Sequence, residues 1–198
     1  MRTKFSKLEK EGPTAPEDKP NIVHQGEYLN IINYKDYEFV SESDMVIMLP
    51  YLRDEGYVLL RHEYIPTYQY YYRKSDDYKH ITNFVSAVSG TVEKNESIEN
   101  ALRRELYEET GIVLSNLYKI EFGKHLFLSK GNVAKYHICI LELRFNDYKV
   151  VPPKHDGSKE ERLSKTIRVS LGDLDDIKTH DLITEYVLTK FKLEYNIK

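Results

Sequence analysis

One stretch constrains this chain more than any other: Gly90 to Ile112, which reads GTVEKNESIENALRRELYEETGI. Ile98, Ala101, Leu102 and Leu106 recur at helical spacing and predict a helix over Ser97–Thr110 with one apolar face. On the other face Glu105, Glu108 and Glu109 stand at i, i+3 and i+4, so their carboxylates are neighbours. Like charges at this spacing destabilise a helix by roughly a few tenths of a kcal/mol per pair. The fold must therefore supply a countercharge. A hard divalent cation does so naturally, because it prefers carboxylate oxygens and water. Arg104, beside the cluster, can orient a carboxylate by a forked hydrogen bond. Gly90 suits a sharp entry from a preceding strand, and Gly111 a left-handed helix end. Taken alone, Arg-Glu-Leu followed by Glu-Glu is an ordinary solvated acidic face; the flanking glycines and the added arginine raise it above that.

Around this segment the chain reads mainly as strands. Asn21–Tyr34 alternates apolar and polar residues about Gly26, as a hairpin does, and Asp36–Ser41 continues in extended form. Met45–Leu52 and Gly56–Tyr64 read as strands joined by a turn at Arg53–Gly56. Ile81–Val88, Leu117–Phe127, Lys135–Phe145 and Thr166–Ser170 are further strand candidates. Asn146–Lys165, polar with two prolines, reads as a long loop of the kind that often carries function. The periodicity of Asp181–Leu193 predicts a closing helix capped by Asp181. The expected fold is α+β, a mixed-sheet α/β/α sandwich with an N-terminal β-hairpin extension. The expected organisation is a disordered tail over 1–20, the extension over 21–42 and one catalytic domain over 43–198. Between Ile65 and His80 lies a cluster of Tyr68, Tyr70, Tyr71 and Tyr72. It reads either as a solvated loop with packed aromatic feet or as a base-stacking loop.

Composition removes several alternatives. The net charge of −3 offers no bulk attraction to nucleic acid or acidic membranes. The single cysteine, Cys139, rules out an internal disulfide and a cysteine-built zinc cluster; in its apolar run it is expected to be a small buried hydrophobe. No apolar run approaches the roughly 20 residues of a membrane span, and the first residues lack the apolar core of a signal peptide. A cytoplasmic location is expected.

Gly90, Glu96, Arg104, Glu105, Leu106, Glu108, Glu109, Gly111 and Ile112 fill every fixed position of the Nudix family signature. At average residue usage, a chance match in a chain this long is on the order of one in ten million. The chain is therefore identified as resembling the Nudix hydrolases. The resemblance implies a Nudix-type fold and hydrolysis of a diphosphate bond with Mg²⁺ or Mn²⁺. It implies that Glu105, Glu108 and Glu109 ligate the metal, with the Ser89 carbonyl as an extra ligand. It also implies that Arg104 holds a motif glutamate and that Glu96 supports the site or faces the substrate. Glu160 and above all Glu161, in the long loop, are its candidates for the general base.

Weaker resemblances, in His24–Ile31, Tyr57–Tyr64 and Asp175–Phe191, point to the ADP-ribose pyrophosphatase branch. They imply Tyr28 and Arg61 at the substrate, Arg61 meeting a phosphate, and a homodimer formed through the opening hairpin. The sequence departs from that branch at Ser86, where a glutamate is common, and over His125–Ser129, where a proline is expected. Dinucleoside polyphosphates, nucleoside triphosphates and capped RNA remain alternative substrates. A non-catalytic nucleotide-sensing module of the same fold is the alternative from another class.

Overall fold

The computed structural model describes residues 21–26, 29–35, 37–65, 84–121, 125–154 and 163–197. The expected tail, the tyrosine cluster, Tyr28, Glu160 and Glu161 lie outside the described residues.

The first three strands, β1 (Asn21–Gln25), β2 (Leu29–Tyr34) and β3 (Tyr37–Glu42), form an antiparallel sheet of their own. The expected hairpin is thus extended by a third strand, which pairs with β2 from Leu29↔Glu42 to Tyr34↔Tyr37.

The main sheet is mixed. Its centre is β4 (Met45–Leu52), which runs parallel to β10 (Tyr136–Leu143) in unbroken register. Both are near-continuous apolar runs because both of their faces are covered. β5 (Tyr57–Glu63) leaves β4 through the turn at 53–56 but pairs with it only at Tyr51↔Val58 and Leu52↔Tyr57. Beyond that point the two strands diverge and a third segment fills the fork. β6 (Phe84–Ser86) pairs with β5, and β7 (Val88–Thr91) pairs with β4. The single strand expected over Ile81–Val88 is therefore, in its described part, split at Ala87, whose N–H leaves the ladder and donates to Thr184 Oγ1 at 2.8 Å. Pro50, which has no N–H to give, falls between the last β4 residue paired with β7 and the first paired with β5. The fork delivers the end of β7 to the middle of the sheet.

Helix α1 (Ile98–Thr110) follows at once. Ser97 caps it by accepting from Asn100 N–H, and Gly111 closes it at φ 74°, as the sequence predicts. Ala101, Leu102 and Leu106 bury against Val46, Met48, Leu59, Val88 and Leu141 on one face of the sheet. The opposite face is covered by α2 (Leu182–Tyr195), whose Val187, Leu188 and Phe191 pack on Leu49, Tyr51 and Ile140. Asp181 caps α2 through Ile183 and Thr184 N–H. The α+β sandwich expected from the sequence is the fold observed.

Three expectations are corrected. The long loop over Asn146–Lys165 contains a strand, β11 (Tyr148–Val150), paired with β8 (Ile112–Leu114) directly after α1. Of the strand expected over Leu117–Phe127, the described residues form β9 (Lys119–Glu121), which starts two residues late, and a lone bridge from Leu126 to Tyr136. Between β12 (Lys165–Ser170) and α2 lies a 3₁₀ helix, Leu171–Asp176, not anticipated from the sequence. Three-residue strands are too short to show alternation, and their partners are distant in the chain.

Candidate active site

The site begins where β7 meets α1. Ser89 and Gly90 stand opposite Ile47 and Val46, so this stretch of main chain lies directly under the helix. A Cβ built on Gly90 would come within 1.7 Å of the Glu105 carboxyl carbon. Only glycine leaves room for that carboxyl, which is therefore pressed onto main chain and is 8% exposed. Burial pushes the Glu105 carboxyl up to about 7, against the opposing pull of Arg104 and helped by the charges of Glu108 and Glu96.

Arg104 binds three motif carboxylates at once. Its Nε and Nη2 fork onto the two oxygens of Glu96, at 3.0 and 2.9 Å. Its Nη1 donates to Glu105 at 2.7 Å and to Glu108 at 3.1 Å, and Nη2 also reaches the Thr91 carbonyl at 2.7 Å. The hydrogen bonds to Glu96, foremost, hold this guanidinium well above its ordinary pKa; in return Glu96 is held below the usual carboxylate range. Glu96 also accepts from Glu93 N–H at 3.0 Å, which closes the loop between β7 and α1. Glu96 is thus bound to the site's own arginine and loop.

Glu109 is held from another direction. Its carboxylate Oε2 lies 2.5 Å from Arg61 Nη2, and its carbonyl accepts from Arg61 Nη1 at 2.9 Å. Thr166 Oγ1 donates to the same carbonyl at 2.8 Å and accepts from Arg61 Nη1 at 3.2 Å. Arg61 is only 2% exposed. The sequence expectation sent this arginine to a phosphate; the fold turns it inward beneath the last turn of α1.

The structure brings together Glu96, Arg104, Glu105, Glu108, Glu109, Arg61 and the β7 main chain at Ser89. Among the described residues no three acidic, histidine or cysteine side chains form a ready-made metal-holding group as they stand. The carboxylates are instead bridged by Arg104 and Arg61. The donor set suits a hard divalent ion all the same: several carboxylates close together, with one carboxyl raised by burial. Beside Glu108 a groove is lined by Arg103, Arg104, Tyr107, Val113 and Lys154.

Two members of this region were not expected. Thr166 is aligned with Arg61 only through the β12–β5 register, which no local pattern reveals. Glu63 lies two residues beyond Arg61 on the same side of β5, and burial raises its pKa while the Ser86 hydroxyl and the Arg61 charge oppose the rise. Its position at the end of an apolar run was the available signal. On the other side of the sheet, Leu126, Phe127, Leu128, Tyr136, Ile183 and Tyr186 line an apolar cavity of about 230 Å³. Cys139 is buried, as expected. Among the described residues no helix is long and apolar enough to cross a membrane.

The family model described as the NUDIX domain matches residues 45–187. Among solved structures, one described as an ADP compounds hydrolase superposes with a TM-score of 0.59 at 16% identity, covering 92% of this chain and 97% of its own. A MutT structure, described for Aliivibrio salmonicida and Vibrio cholerae, gives a TM-score of 0.46 at 19% identity, covering 74% of this chain and 97% of its own. No curated protein sequence matches.

Proposed function

The chain belongs to the Nudix hydrolase family, and from that premise we propose that it hydrolyses the diphosphate bond of a nucleoside diphosphate linked to a second moiety, using Mg²⁺ or Mn²⁺. ADP-ribose or another nucleotide sugar is the first candidate. The observation that carries this reading is the complete carboxylate set of α1, with Glu105 packed on Gly90 and the others tied by two arginines.

Glu105, Glu108 and Glu109, with the Ser89 carbonyl, would hold the metal. A bound divalent ion neutralises the diphosphate, lowers the pKa of the attacking water and stabilises the leaving oxygen. The chain's own contribution is electrostatic pre-organisation. Arg104 holds Glu105 and Glu108 in place by hydrogen bonds, and Glu96 holds Arg104 in place. Glu161, from the segment between β11 and β12, remains the candidate general base.

The choice of ADP-ribose rests on the sequence resemblances in His24–Ile31, Tyr57–Tyr64 and Asp175–Phe191; the ADP compounds hydrolase neighbour supports the fold. The second reading is a nucleotide-sensing module, and the bridging of the carboxylates by arginines is the observation in its favour. One experiment separates them: purified protein with Mg²⁺, presented with ADP-ribose, sugar nucleotides, NADH, diadenosine polyphosphates, nucleoside triphosphates and capped RNA, with products resolved by chromatography. AMP and ribose phosphate from ADP-ribose are expected. Tight nucleotide binding without cleavage of any substrate supports the sensor instead.

A further inference from the structure

We propose that Arg61 is the positioning residue that holds Glu109 in its metal-facing arrangement, and that it does not contact the substrate's phosphates. This inference rests on the metal site proposed above and gives it a component outside the family signature.

The argument begins with burial. A guanidinium that is 2% exposed is strongly disfavoured unless its charge and its N–H groups are met. Here the charge is met by the Glu109 carboxylate at 2.5 Å. One N–H is met by the Glu109 carbonyl at 2.9 Å, where the negative end of the helix dipole also favours a cation. Thr166 adds to the arrangement by bonding both partners, donating to the carbonyl and accepting from Arg61, while Arg61 Nε has no hydrogen-bond partner among the described residues. Main chain and side chain of a single glutamate are therefore fixed by one clamp, built from two adjacent strands, β5 and β12.

The clamp divides labour with Arg104. Arg104 binds Glu96, Glu105 and Glu108 and has no hydrogen bond to Glu109. The Glu109 carboxylate stands one helical turn from Glu105, and the Arg61 guanidinium sets a positive charge beside it that offsets their repulsion. To reach a phosphate, the buried Arg61 guanidinium would have to give up both Glu109 contacts, which is costly in a low-dielectric setting. Partners that orient metal ligands in this way typically change metal affinity by roughly 10–100-fold when removed.

The test uses the full chain without substrate and Mn²⁺ alone as the probe, with free Mn²⁺ followed by electron paramagnetic resonance. Arg61→Met is expected to weaken Mn²⁺ binding by about tenfold or more. Arg61→Lys, which keeps the charge and the stem but loses the planar fork, is expected to fall between the two, at about threefold. With the best cleaved substrate under saturating Mg²⁺, both variants should lower kcat while KM for the substrate moves less than about twofold. Unchanged Mn²⁺ affinity in both variants, or a loss confined to substrate KM, overturns the assignment. Should Arg61→Met fail to fold, Arg61→Lys decides alone by the same criteria. Wild-type chain that binds no Mn²⁺ overturns the metal site itself, an outcome distinct from wild-type binding that the variants leave intact.

Discussion

The two helices that cover the sheet are of similar length, yet they carry their charges differently. α2 carries charges that suit the helix dipole at both ends: Asp181 at the N-cap, Glu185 in the first turn and Lys192 in the last, next to Glu194. Its buried face is apolar apart from Thr184, whose hydroxyl is fully bonded. α1 has the Ser97 cap and Glu99 in its first turn but departs from the rule at its other end. Its last turn carries Glu108 and Glu109 and no basic residue, so anions crowd the negative end of the helix dipole. Its buried face includes the carboxyl of Glu105. The countercharge comes from Arg104 on the helix and Arg61 on a strand. A helix that breaks local rules and recruits distant residues to correct them marks a functional site, whereas one that obeys them marks packing.

Several substitutions sharpen this contrast. The largest effect is expected from Glu109→Gln, which keeps an acceptor for Arg61 but removes a charge assigned to the proposed metal site: turnover should fall by about a hundredfold or more, with the circular dichroism spectrum unchanged. Full activity in that variant would refute the metal-site assignment. Gly90→Ala comes next. Its methyl group would occupy the space of the Glu105 carboxyl. Overpacking of this kind costs about 1–3 kcal/mol. The thermal midpoint should drop by several degrees and activity should fall with it, whereas a variant of wild-type stability and activity would show that the contact at Gly90 is dispensable.

A third prediction concerns pH. Burial raises Glu105 from 4.5 to about 7. The sign follows: the folded state favours the protonated carboxyl, so this contribution to stability is complete below about pH 4.5 and is lost as pH rises through about 7. Metal-free protein should lose thermal stability across that window, the loss should shrink in Glu105→Gln, and Mg²⁺ should restore it by binding the ionised form. Identical pH profiles for wild type and variant would rule out Glu105 as the source. The smallest effect belongs to α2. Asp181→Ala removes a cap worth about 1 kcal/mol and should lower the thermal midpoint by about 2–4 °C with kcat unaltered. A large loss of kcat there would erase the distinction between the two helices.

Much of this was legible in the residues. α1, its Ser97 and Gly111 ends, the capped α2 and the two long central strands announce themselves by period and by capping chemistry, which act over a few residues. β8 and β11 did not, because each is three residues long and is stabilised only by a partner far along the chain. The split at Ala87 was equally hidden: an apolar run shows that a segment is buried, but not that its ladder changes partner midway. Within the site, the acidic face and its neighbour Arg104 were readable from spacing. That Arg104 holds three carboxylates at once was not, since spacing does not fix side-chain conformation, and the Arg61–Thr166 clamp was not, since it depends on which side chains the sheet register brings within about 3 Å of one another.

The sequence by itself therefore determined the helix with the acidic face, the glycine that makes room beneath it and the family to which the chain belongs, because each is encoded in contiguous residues at fixed spacing. Only the tertiary structure decided how that helix tolerates its own charges. Arg61 lies 48 residues before Glu109 and Thr166 lies 57 after it. Nothing local couples them; the fork between β4 and β5 and the pairing of β12 bring them to the last turn of α1, where burial makes their charges and hydrogen bonds count.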